Sequence, residues 1–208
     1  VESFSLLTNP DHTFKDEESA DWVAEMYSRK HSFFTYLSDN PDALSSCCRL
    51  RNEMNENHFE FSLGMSGVMT GSKSVMTINV NRAVQYAVNH KLNYIDYIRE
   101  LVLKIHKFQT AYNELLYDFQ KQGALPVYDA KFITLDKQFL TIGVNGVVEA
   151  AEFLGIKAAP TQEYEDFIGG LLGMISEENL KAKRESIEKW RSGDRTLHKV
   201  SFNTEFVP

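Results

Sequence analysis

Apolar and polar positions come in blocks along this chain, and the period changes from block to block. Phe4 to Thr8 is a short apolar run closed by Asn9-Pro10, which predicts a strand ending in a turn. Asp16, Glu17 and Glu18 suit the positive end of a helix dipole, and Trp22, Val23, Met26 and Tyr27 follow as an apolar stripe. Phe33 to Leu37 reads as a second strand and Ser38-Asp39-Asn40-Pro41-Asp42 as a turn. After a polar stretch, Gly64, Gly67 and Gly71 let the backbone turn or approach a ligand closely. Val75 to Val80 predicts a strand, with a helix through Arg82 to Val88. From Leu92 to about Gln122, Ile95, Ile98, Val102, Ile105, Tyr112, Leu116 and Phe119 recur at helical spacing, so one stripe of a long helix is expected to face a core. Gly123 and Pro126 end it. Phe139 to Gly143 predicts a strand leading through Val144-Asn145-Gly146 into a helix with Val147, Val148, Ala151 and Phe153. A helix from about Tyr164 to Trp190, charged and solvated in its second half, and a strand-like segment from His198 to Val207 complete the pattern. Strands alternating with helices favour an α/β fold on mostly parallel strands.

Composition adds bounds rather than detail. The chain has 208 residues, 43% hydrophobic and 25% charged, the balance of a soluble globular protein, and one domain over 1–208 is the default. A formal charge of -7 supplies no basic footprint for nucleic acid, although a small phosphorylated ligand in a local pocket is compatible with it. No run approaches the ~20 apolar residues a membrane span needs, and Val1 to Asn9 lacks the features of a signal peptide, so a cytoplasmic location is expected.

The candidate chemistry is sparse. Cys47 and Cys48 are adjacent and are the only two cysteines. A vicinal disulfide staples nothing, and two thiols fall short of a zinc site. Buried bystanders and thiol chemistry both remain open. The serines at 45 and 46 and Arg49 make a polar setting, and a neighbouring cation lowers a thiol pKa. Ile142-Gly143-Val144-Asn145-Gly146-Val147-Val148-Glu149 is a strand-turn-helix that can expose backbone N–H groups to an anion or form a plain tight turn. Thr70-Gly71-Ser72-Lys73-Ser74 lacks phosphate-loop spacing and precedes a strand. His12, His31, His58, His90, His106 and His198 are scattered without a carboxylate at fixed spacing, which favours surface or packing roles.

Three blocks, taken in order and separation, resemble the catalytic barrel of anaerobic, glycyl-radical (class III) ribonucleoside-triphosphate reductases. They are Ser45-Ser46-Cys47-Cys48-Arg49-Leu50-Arg51-Asn52, Gly71 through Asn79-Val80-Asn81-Arg82, and Thr141 through Gly146-Val147-Val148-Glu149-Ala150. The resemblance implies part of a ten-stranded α/β barrel made of two parallel half-barrels, with a central finger loop placed at about 42–74. Cys-Arg is the family's loop-tip pattern, so the resemblance places the thiyl radical on Cys48, with Cys47 as the less favoured sulfur. It further implies 3′-hydrogen abstraction from a ribonucleoside triphosphate. Ser46, Asn79, Asn145, Gly146 and Glu149 become expected substrate-pocket residues. An S–H bond is close in strength to the sugar C–H bond, which keeps the transfer reversible, and a barrel interior shields such a radical from water.

None of the 11 glycines lies in the Arg-x-x-Gly-Tyr setting that carries the family's radical, and the family's four-cysteine zinc module and N-terminal regulatory region have no counterpart here. The chain is therefore expected to be a middle portion of a larger enzyme, inactive alone and binding no cofactor itself. The whole enzyme is expected to need a glycyl radical made by a radical SAM iron-sulfur activase, a formate or thiol reductant, and a homodimer. Formate-using members resemble Asn-Asn near Gly71-Ser72-Lys73-Ser74, so this chain's sequence leaves the reductant open. The competing expectations are a non-catalytic nucleotide-binding or assembly module built on the same barrel, and a glycyl-radical enzyme with a non-nucleotide substrate, which the three blocks argue against.

Overall fold

The computed structural model describes residues 3–31, 34–39, 43–45, 51–53 and 71–206. It divides into two units, Val1–Val68 and Met69–Pro208.

In the first unit β1 (Ser3–Leu7) and β2 (Phe34–Ser38) pair in parallel across the helix α1 (Glu17–Ser28). Asp16 starts that helix by accepting from the Ser19 backbone N–H at 3.1 Å, so the acidic run caps it as its sequence predicts. Of the expected stripe, Val23 is buried and Met26 half-buried. Trp22 and Tyr27 stay 46% and 45% exposed, Trp22 packing edge-on to Phe4. A short antiparallel pair, β3 (Ala43–Ser45) and β4 (Arg51–Glu53), brackets the Cys47-Cys48 segment, which itself lies outside the described residues.

The second unit is a three-stranded parallel sheet with helical crossovers. Its strands are β5 (Gly71–Asn79), β6 (Gln138–Asn145) and β7 (Phe202–Phe206), in the order β5-β6-β7. Between β5 and β6 run α2 (Val80–Asn89), α3 (Tyr94–Lys121) and the short α4 (Pro126–Asp129). Between β6 and β7 run α5 (Val147–Phe153) and α6 (Gln162–Arg191). Ile78, Ile142 and Val144 of the sheet pack against Ile98, Val102 and Ile105 of α3 and Leu171 and Ile175 of α6 in one core cluster. The central strand β6 is buried at every position from Leu140 to Val144, which is why it reads as a nearly continuous apolar run rather than an alternating one.

Two details of α3 depart from its sequence pattern. Tyr112 and Phe119 are 43% and 39% exposed, while the polar His106, Gln109 and Asn113 take the buried line with Ile98, Val102, Ile105 and Leu116. Part of the physical reason is that β6 and α6 offer polar partners there, although Gln109 Oε1 and Asn113 Oδ1 stay buried without one. Gln109 Nε2 donates to the Thr141 backbone carbonyl at 2.8 Å, and His106 Nε2 lies 2.8 Å from Asn179 Oδ1 on α6. A buried polar group that finds its partner no longer carries the penalty that keeps such residues outside. At the C-terminus of α3, Gly123 adopts φ +71° and the Ala124 N–H bonds back to the Phe119 carbonyl, the glycine stop that the sequence predicts. The last strand begins only at Phe202, because His198 and Val200 give their N–H groups to the side chains of Glu114 and Ser186 instead of to a neighbouring strand.

Candidate functional site

Strand direction places the candidate residues. β5 and β6 are parallel and each passes straight into a helix, so their C-terminal ends lie side by side. Asn79 and Asn145 are register partners there. Asn79 Oδ1 accepts the Arg82 backbone N–H at 2.9 Å and so caps α2. Asn81 Oδ1 accepts from Gln85 Nε2 at 2.7 Å. Asn145 Oδ1 is buried and has no hydrogen-bond partner, an acceptor left over for a group from outside the fold. Gly146 follows in the left-handed region at φ +68°. A Cβ built on it would meet Asn81 Cβ at 3.0 Å and Asn79 Oδ1 at 3.4 Å. These contacts draw Asn79, Asn81, Asn145 and Gly146 into one cluster at the carboxyl ends of two parallel strands, where ligands of α/β sheets commonly bind.

The sheet has two chemically different faces. Phe202 is buried and packs on His106, and Thr204 Oγ1 accepts from Asn179 Nδ2 at 3.0 Å, so those positions of β7 face the helices. With a period of two, Asn203 and Glu205 face the other way. Thr141 Oγ1 confirms this by donating to Asn203 Oδ1 at 2.7 Å, with Ser72 Oγ at 2.7 Å on its other side. Register then lays out three rows across the non-helical face, Val75–Thr141–Asn203, Thr77–Gly143–Glu205 and Asn79–Asn145. One face is thus an aliphatic core surface, and the other carries, among the described residues, hydroxyls, amides and one carboxylate beside Val75 and Gly143.

Of the expected site residues, Asn79, Asn145 and Gly146 are brought together. Glu149 sits exposed in the first turn of α5, and among the described residues no hydrogen bond or ion pair ties it to the asparagines. Ser46, Cys47 and Cys48 lie outside the described residues. Sequence reasoning missed Asn81, Thr77 and Glu205. The alternation Thr77/Asn79 and Asn203/Glu205 was a usable signal, but only once the buried partners of each strand were known.

A second polar cluster occupies the opposite ends of the strands. Glu114 Oε1 accepts the His198 backbone N–H at 2.8 Å, its Oε2 lies 2.7 Å from His198 Nδ1, and Tyr117 stacks on the imidazole with ring centroids 3.6 Å apart. His198 therefore has a carboxylate partner 84 positions away, which no sequence spacing announces. Lys73 Nζ donates to the Leu135 carbonyl at 2.7 Å, and burial pulls its pKa down to about 8 against the opposing charges of Asp136 and Glu114. Burial, then the same two carboxylates, pushes Tyr117 up to about 12.

Lys73 has a testable consequence for stability. Its folded pKa lies below the unfolded value of 10.5, so between about 8 and 10.5 the unfolded chain binds the extra proton and stability rises with pH. Below that window the native state carries the full cost of a buried ammonium, on the order of 1–3 kcal/mol. Lys73→Met is expected to flatten the rise in thermal stability between pH 8 and 10.5, which parallel melts at stepped pH would read. An unchanged slope would show that Lys73 is not its source.

Among the described residues no three His, Cys, Asp or Glu side chains gather in a metal-holding group, and no helix is long and apolar enough to cross a membrane.

Comparison with known proteins places the whole chain. The family model for anaerobic ribonucleoside-triphosphate reductase covers residues 6–192. This chain belongs to that family. A structure of the anaerobic ribonucleotide reductase from Thermotoga maritima with citrate in the active site superposes with a TM-score of 0.64 at 30% identity, covering 100% of this chain and 35% of that one. The same enzyme in complex with dATP and CTP gives 0.63 at 28% identity, covering 99% and 32%. A further anaerobic ribonucleotide reductase gives 0.64 at 25% identity, covering 99% and 30%. The α/β fold with parallel strands is that of these reductases, and the chain spans about a third of their length. No curated protein matches the chain.

Proposed function

We propose that this reductase-family chain supplies the thiyl-bearing and substrate-binding portion of an oxygen-independent ribonucleotide reductase acting on ribonucleoside triphosphates. The observation that carries the reading is the polar strand-end cluster of Asn79, Asn145 and Gly146 in a chain matched along residues 6–192 by the family model. The relatives' complex with dATP and CTP supports a nucleotide as ligand.

In the proposed reaction a sulfur radical on Cys48 takes the hydrogen atom from C3′, forming S–H and leaving the unpaired electron on the sugar. The C2′–O bond breaks, the 2′ hydroxyl takes a proton and departs as water, and C2′ gains a hydrogen in its place. The two electrons and two protons this needs come from formate plus one solvent proton, the formate leaving as carbon dioxide, or from a dithiol, which leaves as a disulfide. Cys48 then returns its hydrogen atom to C3′, so the sulfur radical is regenerated and the sugar is reduced by one oxygen. Asn79 and Asn145 offer amide donors and, at Asn145 Oδ1, a buried unsatisfied acceptor for the bound nucleotide. Ser46 and Glu149 are assigned to the same pocket on the strength of the resemblance alone.

The glycyl radical, its radical SAM activase and a homodimeric assembly belong to the complete enzyme in this proposal, at work in the cytoplasm. The 208-residue chain by itself is expected to turn over no nucleotide. An edge of β5 that is unpaired among the described residues fits a barrel that continues beyond these strands. Among the described residues β5 pairs with β6 alone, Val75 and Met76 are 52% and 37% exposed, and a groove of about 900 Å³ beside them is lined by Tyr86, Tyr97, Leu101 and Phe108. An open apolar edge is a liability that further strands would cover.

The test is an anaerobic assay of the full-length protein with its activase, a ribonucleoside triphosphate and either formate or a thiol reductant. Deoxyribonucleotide is expected in one of the two. No product in either, from protein shown to carry its glycyl radical by electron paramagnetic resonance, would sink the reading.

A further inference from the structure

We propose that Asn81 is a specificity-determining residue that donates from its side-chain NH2 group to a phosphate of the bound nucleotide, an inference that rests on the strand-end cluster being the substrate site. Asn81 stands against the turn at Gly146, where a Cβ built on the glycine would meet Asn81 Cβ at 3.0 Å. Its Oδ1 accepts from Gln85 Nε2 at 2.7 Å, one turn along α2, which engages the oxygen and leaves the NH2 on the other branch of the amide. Among the described residues no group accepts from that NH2, and unlike Asn145 Oδ1 it is not shut away from solvent. Asn79 repeats the pattern two residues earlier. Its Oδ1 accepts the Arg82 backbone N–H at 2.9 Å, and its NH2 is likewise left over among the described residues.

Donor chemistry and charge decide which part of a nucleotide meets these two groups. An ionised phosphate has oxygens that accept and nothing that donates, and a bond to it from an amide is charge-assisted. The buried Asn145 Oδ1 is the reverse, an acceptor that a sugar hydroxyl or a base N–H can satisfy and an ionised phosphate cannot. Two helices begin at this cluster, and they differ in charge. The first turn of α5 holds Glu149, whereas the first turn of α2 holds no acidic residue and places Arg82 directly after Asn81. A phosphate is repelled beside Glu149 and favoured at the α2 end, where the helix dipole adds to the donors. The phosphate therefore belongs on the α2 side, at Asn79 and Asn81, and the nucleoside on the β6 side beside Asn145. No proton transfer is assigned to Asn81.

The experiment compares, in the full-length reductase, KM for a ribonucleoside triphosphate with the competitive Ki of the same ribonucleoside without its phosphates. Asn81→Asp keeps the shape and an acceptor for Gln85 but exchanges the donor for a negative charge. It is expected to raise KM about 10- to 100-fold while leaving the nucleoside Ki unchanged. Asn81→Ser, which stands in if the aspartate variant fails to fold, is expected to raise KM by a smaller factor with the same constant Ki. An unchanged KM, or KM and Ki rising together, would overturn the assignment. Asn145→Ala separates the two levels of the argument. If it raises both constants and Asn81→Asp raises neither, Asn81 is wrong and the strand-end site stands. If neither variant moves either constant, the strand-end cluster is not the substrate site and Asn81 falls with it.

Discussion

Cys48→Ser is expected to bring nucleotide reduction by the full-length protein below detection while leaving its secondary structure and nucleotide binding unchanged. The substitution exchanges one atom of similar size, so packing has little reason to respond. Its chemistry changes completely, because an O–H bond is far stronger than the sugar C–H bond and the hydroxyl cannot be converted to a radical by the same donor. Even a barrier increase of about 7 kcal/mol is five orders of magnitude in rate. Cys47→Ser is the control and is expected to retain turnover, since Cys-Arg at 48–49 is the loop-tip pattern of the family that this chain resembles. Activity lost in Cys47→Ser and kept in Cys48→Ser would move the radical to the neighbouring sulfur. Activity kept in both would remove thiyl chemistry from this segment.

The second large effect is expected at Gly146. Alanine there meets two independent penalties. The residue sits at φ +68°, where a Cβ costs roughly 1–2 kcal/mol. The added atom would also stand 3.0 Å from Asn81 Cβ and 3.3 Å from the Asn81 backbone N, groups fixed at the start of α2 and unable to swing aside. Overpacking of this kind adds about 1–3 kcal/mol. Gly146→Ala is therefore expected to destabilise the fold by about 2–5 kcal/mol in chemical denaturation, with a clear fall in nucleotide affinity as Asn79 and Asn81 are displaced. The distinguishing control is Gly155→Ala. That glycine also has a positive φ, +82°, but nothing lies within 4 Å of a built Cβ, so only the backbone penalty applies. Equal losses at both positions would show that the close approach to Asn81 is immaterial.

The elements were legible to a good degree, and for a simple reason. Local features such as the Asp16 cap, the glycine at 123 and the aliphatic run of β6 act through neighbours within a few residues, so sequence spacing carries them. The long helix 94–121 was legible in length and less so in orientation. Its sequence offers two candidate stripes, one through Tyr112 and Phe119 and one through Gln109 and Asn113. Hydrophobicity alone chooses the first, whereas the backbone carbonyl of Thr141 made the second the buried one. His198 is a sharper case, since its carboxylate partner on α3 becomes a neighbour only when β7 is laid beside β6.

By itself the sequence determined the alternation of strands and helices, the parallel α/β class and the asparagine-bearing strand ends, because periodicity, turn chemistry and the three spaced blocks are all written along one dimension. Only the tertiary structure decided that Asn79 and Asn145 are register partners, that Gly146 is pressed against Asn81, and that Glu205 lies on the sheet face turned away from the helices. Which residues share a face depends on the register between strands that lie more than sixty residues apart in the chain. That register is set by packing of Ile78, Ile142 and Val144 on the helices, a long-range contact that no local pattern encodes.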